Sequence, residues 1–194
     1  MTDAAAALRA GKPVILPTDT VYGLCAAAHE PEPTERLYRL KGRDPAQPSA
    51  LLAADLDTLL ECVPELRGRA EQIARALLPG AYTLILPNPA RRYPWLTGSS
   101  PDAIGVRVAP LPDAAALVLA EVGAVVATSA NRPGEPEPRR VEDVPPEFRE
   151  AAGAVVDAGE LPGRSSTVID FTGTEPRVLR EGAGSVEKAL SATA

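Results

Sequence analysis

Short apolar segments alternate with segments of helical periodicity along this chain, and this alternation constrains the fold more than any other feature of the sequence. Nine apolar runs are predicted to be strands: Pro13–Leu16, Tyr22–Ala28, Ser49–Ala53, Tyr82–Leu86, Ile104–Val108, Ala124–Thr128, Ala154–Val156, Thr167–Phe171 and Arg177–Leu179. Five segments are predicted to be helices: Asp3–Ala10, Pro33–Lys41, Leu56–Cys62, Arg67–Leu78 and Asp113–Glu121. We expect Asp3 to cap the first helix. Strands that alternate with helices predict an α/β fold with a parallel or mixed sheet, covered by helices on at least one face.

The length of the chain fits one domain spanning residues 1–194. Hydrophobic residues make up 45% of the sequence but aromatic residues only 4%, so the core must consist mainly of Ala, Val, Leu and Ile. We found neither an internal repeat nor a linker that would separate a second domain.

The charge and the cysteines argue against several classes of protein. The net charge of -6 opposes non-specific attraction to nucleic acid, which depends on neutralising phosphates. Cys25 and Cys62 have no metal or redox spacing, so we expect reduced thiols, with Cys25 a small core residue. No apolar segment is long enough to cross a bilayer and no positive region opens a secretory signal. These features predict a cytoplasmic protein without a membrane anchor.

Polar residues separate the first two predicted strands. Thr18, Asp19 and Thr20 lie between the apolar runs Val14–Leu16 and Leu24–Ala28. Hydroxyls and a carboxylate at the end of a buried strand are typical of a pocket for a small polar ligand. The alternative is that they only complete a turn, because Asp and Thr are common turn residues.

Two later clusters suggest an anionic ligand. Lys41 and Arg43 stand one residue apart at the end of a predicted helix, and cations of this kind bind phosphate oxygens. They would equally serve as solvated cations that complement the helix dipole. Ser129 and Asn131 follow a buried strand and either orient a ligand or only cap the loop. Because all three clusters lie where a strand or helix meets a loop, we favour a shared site.

Further candidates occur in the second half of the chain. Arg107 interrupts an apolar strand, either exposed on an open face or holding a carboxylate. Ser166 lies among hydroxyls at a strand end, and Arg180 closes the last predicted strand. The proline-rich segment Asn131–Arg140 is expected to be an irregular surface loop able to close over a ligand. His29, the single histidine, has a surface-like setting, so we do not expect a histidine base.

Seven segments, in order, resemble the motifs of the YrdC/TsaC threonylcarbamoyl-AMP synthases: Pro17–Leu24, Lys41–Arg43, Pro79–Thr83, Val106–Val108, Ala127–Asn131, Ser166–Asp170 and Arg180–Gly182. The resemblance covers nearly the whole chain. It implies a twisted mixed sheet with flanking helices around a central, positively lined cavity. It also implies a nucleotidyltransferase that makes threonylcarbamoyl-AMP and pyrophosphate from L-threonine, bicarbonate or carbon dioxide, and ATP.

The same resemblance assigns roles to individual residues. ATP would be bound by Lys41, Arg43, Ser129, Asn131 and Arg180, of which the first four would be catalytic. Threonine would be bound by Thr18, Tyr22, Arg107 and Ser166, with Arg107 on the carboxylate. Mg²⁺ would arrive with the nucleotide and need no dedicated metal site.

The product would serve other proteins, which transfer the threonylcarbamoyl group to tRNA. Weak binding of tRNA itself stays open. Two other functions stay open as well. One is adenylation of a different carbamate, as in the related domain of hydrogenase-maturation carbamoyltransferases, although the acylphosphatase and zinc-finger-like segments of those chains are absent here. The other is a non-catalytic RNA-binding module, which the acidic balance disfavours.

Overall fold

In the computed structural model, which describes residues 2–192, nine strands form one sheet. The strands are β1 (Val14–Pro17), β2 (Tyr22–Ala27), β3 (Ala50–Ala53), β4 (Tyr82–Pro87), β5 (Ala103–Val108), β6 (Ala124–Ser129), β7 (Ala154–Val155), β8 (Thr167–Asp170) and β9 (Arg177–Arg180). The helices are α1 (Asp3–Arg9), α2 (Pro31–Lys41), α3 (Leu56–Cys62), α4 (Arg69–Leu77), α5 (Pro94–Thr97), α6 (Asp113–Val122), α7 (Pro146–Ala151) and α8 (Val186–Ser191). A 3₁₀ turn covers Val141–Asp143.

The sheet has the order β7-β1-β2-β6-β3-β5-β4-β8-β9. Parallel pairs (β1 with β7, β3 with β5, β4 with β8) are interspersed among antiparallel ones, so the predicted mixed α/β sheet is confirmed. Neighbours in the sheet are often distant in sequence. Cys25 of β2 lies opposite Ala127 of β6, and Tyr82 of β4 lies opposite Thr167 of β8.

Each of the nine predicted strands corresponds to a strand of the sheet, with ends that differ by at most one residue. The prediction for the first helix cap is wrong. The hydroxyl of Thr2 accepts a hydrogen bond from the amide of Ala5 at 3.2 Å, and Asp3 lies inside the first turn. Asp3 still suits its position, because a carboxylate in the first turn complements the helix dipole.

Side chains along each strand alternate between the two faces of the sheet, and helices pack on both faces. Val14 and Leu16 of β1 pack on one face with α1 and α6, whereas Ile15, between them, packs on the other face with α2 and α7. A larger cluster joins α3 and α4 to the strands of the second half of the sheet. Cys25 is fully buried in the core, as expected, and is a free thiol. None of the helices in the described part of the chain is both long and apolar enough to cross a membrane.

Helices α1 and α6 cover only part of their face of the sheet. Beyond them, the strands carry small or polar residues on that face, including Gly23, Ala50, Gly105 and Ala127. Small side chains leave space above the sheet. This space is the central cavity.

Candidate active site

The cavity has a volume of about 560 Å³ and lies over strands β2, β6, β3, β5, β4 and β8. Its glycines and alanines form the floor, and hydroxyls, arginines and carboxylates form the walls. Six of the nine residues assigned from the sequence line it: Thr18, Arg43, Arg107, Ser129, Ser166 and Arg180. The size suits a drug-sized or nucleotide-sized ligand.

The turn between β1 and β2 contributes Thr18 and Thr20 to the cavity wall. The hydroxyl of Thr18 lies 2.7 Å from the carbonyl of Val21, to which it donates, and accepts from the amides of Thr20 and Val21 at 3.2 Å. The interpretation of these residues as a turn is therefore confirmed. Thr18 closes its own turn, and the closed turn presents hydroxyls to the cavity.

Arg107 reaches the cavity from β5 and pairs with Asp19 of the same turn. Its Nη2 donates to Asp19 Oδ1 at 2.7 Å, and only 11% of the Arg107 side chain and 6% of the Asp19 side chain are exposed. Burial raises the pKa of Asp19 and lowers that of Arg107, because both lose water around their charges. Arg107 Nε and Asp19 Oδ2 are buried without a hydrogen-bond partner among the residues described. The guanidinium thus keeps donor capacity for a ligand.

Lys41 and Arg43 lie at the end of α2, where Gly42 adopts the left-handed conformation (φ +63°) that ends the helix. Lys41 Nζ donates to the carbonyl of Ser129 and lies 3.5 Å from its hydroxyl. Arg43 donates to Thr128 Oγ1 at 3.4 Å and to the carbonyl of Pro48. Burial, with the nearby Arg43 charge, lowers the pKa of Lys41 to about 8. Burial also lowers the pKa of Arg43. These partners are neutral oxygens, so both cations keep their charge uncompensated at close range.

The opposite wall consists of Ser166 and Arg180. Arg180 Nε donates to the Ser166 carbonyl at 3.1 Å, and its Nη2 lies 3.2 Å from the Ser166 hydroxyl. That hydroxyl also shares a 2.9 Å hydrogen bond with Thr83. This network fixes a hydroxyl and a guanidinium side by side at the cavity wall.

Two assigned residues lie just outside the wall. Lys41 is buried behind Ser129, which it contacts. The amide nitrogen of Asn131 donates to the carbonyl of Glu135 at 2.6 Å, and its Oδ1 is buried without a partner among the described residues. Asn131 therefore shapes the start of the proline-rich loop.

The expectation that Tyr22 lines the cavity is wrong. Its ring is fully buried with Leu24 on the face that packs against α2 and α7. Its hydroxyl lies 2.8 Å from Asp157 Oδ1 and from the carbonyl of Gly159, and accepts from the amide of Ala158 at 3.0 Å. Burial raises the pKa of Tyr22 to about 12. Tyr22 does not line the cavity because side chains alternate along a strand: Gly23 faces the cavity and its two neighbours face the other way.

Three carboxylates at the cavity or beside its arginines were not assigned a role from the sequence. One of them, Asp170, lines the cavity and pairs with Arg177 at 2.7 Å. Asp19 was noted in the first turn, but only the fold places it against Arg107. Glu137 projects from the proline-rich loop into the cavity wall. A lone Glu in an irregular loop carries no sequence signal of this position. No group of three or more His, Cys, Asp or Glu side chains suited to a metal occurs within residues 2–192.

A family model described as "Telomere recombination", for the Sua5, YciO and YrdC proteins, matches residues 6–182. The chain belongs to the Sua5/YciO/YrdC family. The resemblance noted in the sequence is thereby confirmed.

Two similar proteins of this family are both named threonylcarbamoyl-AMP synthase, one of them as putative. A protein of Mycobacterium tuberculosis named putative threonylcarbamoyl-AMP synthase is 33% identical over 97% of this chain and 86% of its own length. The threonylcarbamoyl-AMP synthase of Stenotrophomonas maltophilia is 39% identical over 84% of this chain and 88% of its own length.

Solved structures of the family share this fold. The Sua5 protein of Pyrococcus abyssi, crystallised with L-threonine, superposes with a TM-score of 0.85 at 34% identity over 97% of this chain. The chain spans 56% of that longer protein. YciO of Escherichia coli superposes with a TM-score of 0.81 at 28% identity, over 96% of this chain and 91% of its own length.

Proposed function

We propose that this protein is an L-threonylcarbamoyladenylate synthase, a nucleotidyltransferase that forms threonylcarbamoyl-AMP and pyrophosphate from L-threonine, carbon dioxide or bicarbonate, and ATP. Family relatives named threonylcarbamoyl-AMP synthase, and a relative crystallised with L-threonine, support this function. The observation that carries the proposal is the uneven compensation of charge within one cavity.

One end of the cavity suits a polyanion. Lys41 and Arg43 are held by neutral oxygens, so their charges are free to neutralise phosphates. The other end suits a ligand without net charge. Arg107 is already paired with Asp19, and a zwitterionic amino acid can use the remaining donors without adding net charge to a buried site. We therefore assign the triphosphate to the first end and threonine to the second.

The chemistry requires two anions to meet. The threonine amine adds to carbon dioxide, forming an N–C bond and releasing a proton. An oxygen of the resulting carbamate then attacks the α-phosphorus of ATP, and the bond from that phosphorus to the bridging oxygen breaks to release pyrophosphate. Water does not favour this approach of like charges. Fixed cations lower the repulsion, and holding the reactants in line is worth on the order of 7–11 kcal/mol.

The assigned residues divide this work. Lys41, Arg43 and Arg180 balance the charge that moves from the α-phosphate towards the leaving pyrophosphate. Ser129 and Asn131 orient the nucleotide. Thr18 and Ser166 hold threonine beside Arg107. Tyr22 anchors the segment Asp157–Gly159 through its hydroxyl and does not touch the ligand. No residue need act as a covalent nucleophile.

Mg²⁺ is proposed to accompany ATP. The donor set fits this role, because the described cavity wall offers single carboxylates among arginines and not a cage for a cation. The ion would be held mainly by the phosphates and water. When bound, it supplies charge neutralisation to the leaving group.

The product is a mixed anhydride and must be passed on quickly. We propose that other proteins transfer its threonylcarbamoyl group to tRNA, in the cytoplasm. A net charge of -6 gives this chain little general attraction for tRNA, so any direct binding is expected to be weak.

The direct test is to incubate the purified protein with ATP, Mg²⁺, bicarbonate and L-threonine and to measure pyrophosphate and threonylcarbamoyl-AMP. Both products are expected in equal amounts, and only when all substrates are present. Equal turnover with serine or glycine would show that the substrate assignment is wrong. Turnover with ammonium in place of threonine would favour the alternative, adenylation of a different carbamate.

A second measurement tests the division of the cavity. Arg43→Ala is expected to weaken ATP binding and Arg107→Ala to weaken threonine binding, each measured by calorimetry. Arg75→Ala is the matched control, because Arg75 pairs with Glu71 on the surface of α4 away from the cavity. Equal effects of both cavity variants on both ligands would contradict the assignment.

A further inference from the structure

Glu137 is a carboxylate in the cavity wall to which the proposed reaction assigns no role. Its Oε2 accepts a hydrogen bond from the hydroxyl of Ser165, and its Oε1 lies 4.0 Å from Arg180 Nη1. Its side chain is 27% exposed and that of Arg180 is 49% exposed. Its charge also acts on Lys41, whose pKa it raises against the larger lowering by burial. Glu137 therefore lies among the cations expected to bind phosphates.

The loop that carries Glu137 is fixed in place. Pro136 and Pro138 flank the residue and restrict the backbone on both sides. The carbonyl of Pro138 accepts from the amide of Tyr22 at 3.0 Å, and the next carbonyl, that of Arg139, accepts from the amide of Leu161 at 2.8 Å. The carboxylate is thus presented to the cavity by an anchored segment.

The arginines of the cavity differ in how closely they are paired. Arg107 and Arg177 each lie 2.7 Å from a carboxylate, that of Asp19 and that of Asp170. The Glu137–Arg180 pair is looser, at 4.0 Å, and its arginine is half-exposed. A loose pair gives way to a stronger anion more readily than a close one.

We propose that Glu137 is a built-in counter-ion of Arg180, which a phosphate group displaces, and that it limits how tightly the cavity holds pyrophosphate. Glu137 stabilises Arg180 before the nucleotide binds. Because pyrophosphate must displace Glu137 from Arg180, the carboxylate competes for that cation and so favours release of the product. The identity of this anion rests on the proposed function, but any phosphate ligand would compete with Glu137 for Arg180 in the same way.

The experiment measures binding of inorganic pyrophosphate with Mg²⁺ by calorimetry, without turnover. Glu137→Gln keeps the size of the side chain and removes its charge. We expect about threefold to tenfold tighter binding, from loss of the carboxylate that competes for Arg180 in a partly solvated site. Glu137→Asp keeps the charge and should bind as the unmodified protein does. Glu135→Gln is the matched control, since Glu135 is an exposed residue of the same loop that pairs with Arg132.

An Arg180→Ala background then separates the proposal from a general charge effect. There, Glu137→Gln is expected to change pyrophosphate affinity by less than twofold, because its partner is gone. An unchanged or weaker affinity in the single variant would overturn the proposal, as would an equal gain in the Arg180→Ala background. In turnover assays, Glu137→Gln should show stronger inhibition by added pyrophosphate with an unchanged KM for threonine. A protein that binds pyrophosphate as expected but makes no threonylcarbamoyl-AMP would refute the proposed function and leave this inference standing.

Discussion

Removal of the Arg107 charge is expected to destabilise the fold strongly, because it leaves Asp19 buried and unpaired. The two side chains meet at 2.7 Å, which corresponds to about 6 kcal/mol of gross attraction at an effective dielectric constant of about 20. Desolvation offsets much of this attraction. Replacing Arg107 nevertheless leaves the Asp19 carboxylate buried away from water with no ion pair to compensate for its lost hydration. We therefore expect Arg107→Met to lower the free energy of unfolding by about 3–5 kcal/mol.

The assay is urea unfolding followed by circular dichroism at neutral pH, with the slope against urea checked for constancy. The double variant Asp19→Asn/Arg107→Met removes both charges and should be more stable than Arg107→Met by at least about 1 kcal/mol. The pair would then be coupled and costly to break, as its burial implies. If Arg107→Met costs less than about 1 kcal/mol, the pair behaves as a surface ion pair and the reasoning is refuted. A double variant no more stable than Arg107→Met would have the same consequence.

Two other predictions concern Lys41 and Tyr22. Burial places the pKa of Lys41 near 8, below its usual 10.5, so its charge is lost as pH rises through about 8. ATP affinity should fall between about pH 7 and 9. Lys41→Arg should bind evenly across that range, and a flat profile for the unmodified protein would contradict the role given to Lys41. Tyr22→Phe removes the hydroxyl that meets Asp157, Gly159 and Ala158. It should lower the free energy of unfolding by about 1–3 kcal/mol in urea, and a large rise in the KM for threonine at unchanged stability would show that Tyr22 contacts the ligand.

The elements of the fold were predictable where the pattern was long enough. Helix α3 begins and ends at the predicted residues, because an Asp cap and an apolar face define it. Helices α5, α7 and α8 were not predicted. They have four to six residues, too few for the helical period to appear in the sequence. The order of the strands could not be predicted from the sequence. β6 pairs with β2 on one side and β3 on the other, and both pairings join segments that are far apart in the chain.

The site was predictable in its chemistry and less so in its geometry. Arg107 could be singled out because a charge in an apolar strand is unusual, but its partner Asp19 lies 88 residues away. Tyr22 was misplaced although alternation with Leu24 could have shown that both belong to the core face. Glu137 left no trace in the sequence, because a Glu between prolines in a loop is ordinary on a surface.

The long separations in the sheet have a practical consequence for work with this protein. The floor and walls of the cavity come from both halves of the chain, and the last wall is completed by β8 and β9. A nascent or truncated chain that lacks these strands has cations but no enclosed space between them. Topologies dominated by pairings between distant segments fold slowly. A nucleotide whose fluorescence increases on binding would therefore report when the cavity is completed during refolding. Added nucleotide should also raise the melting temperature, since only the finished fold can bind it.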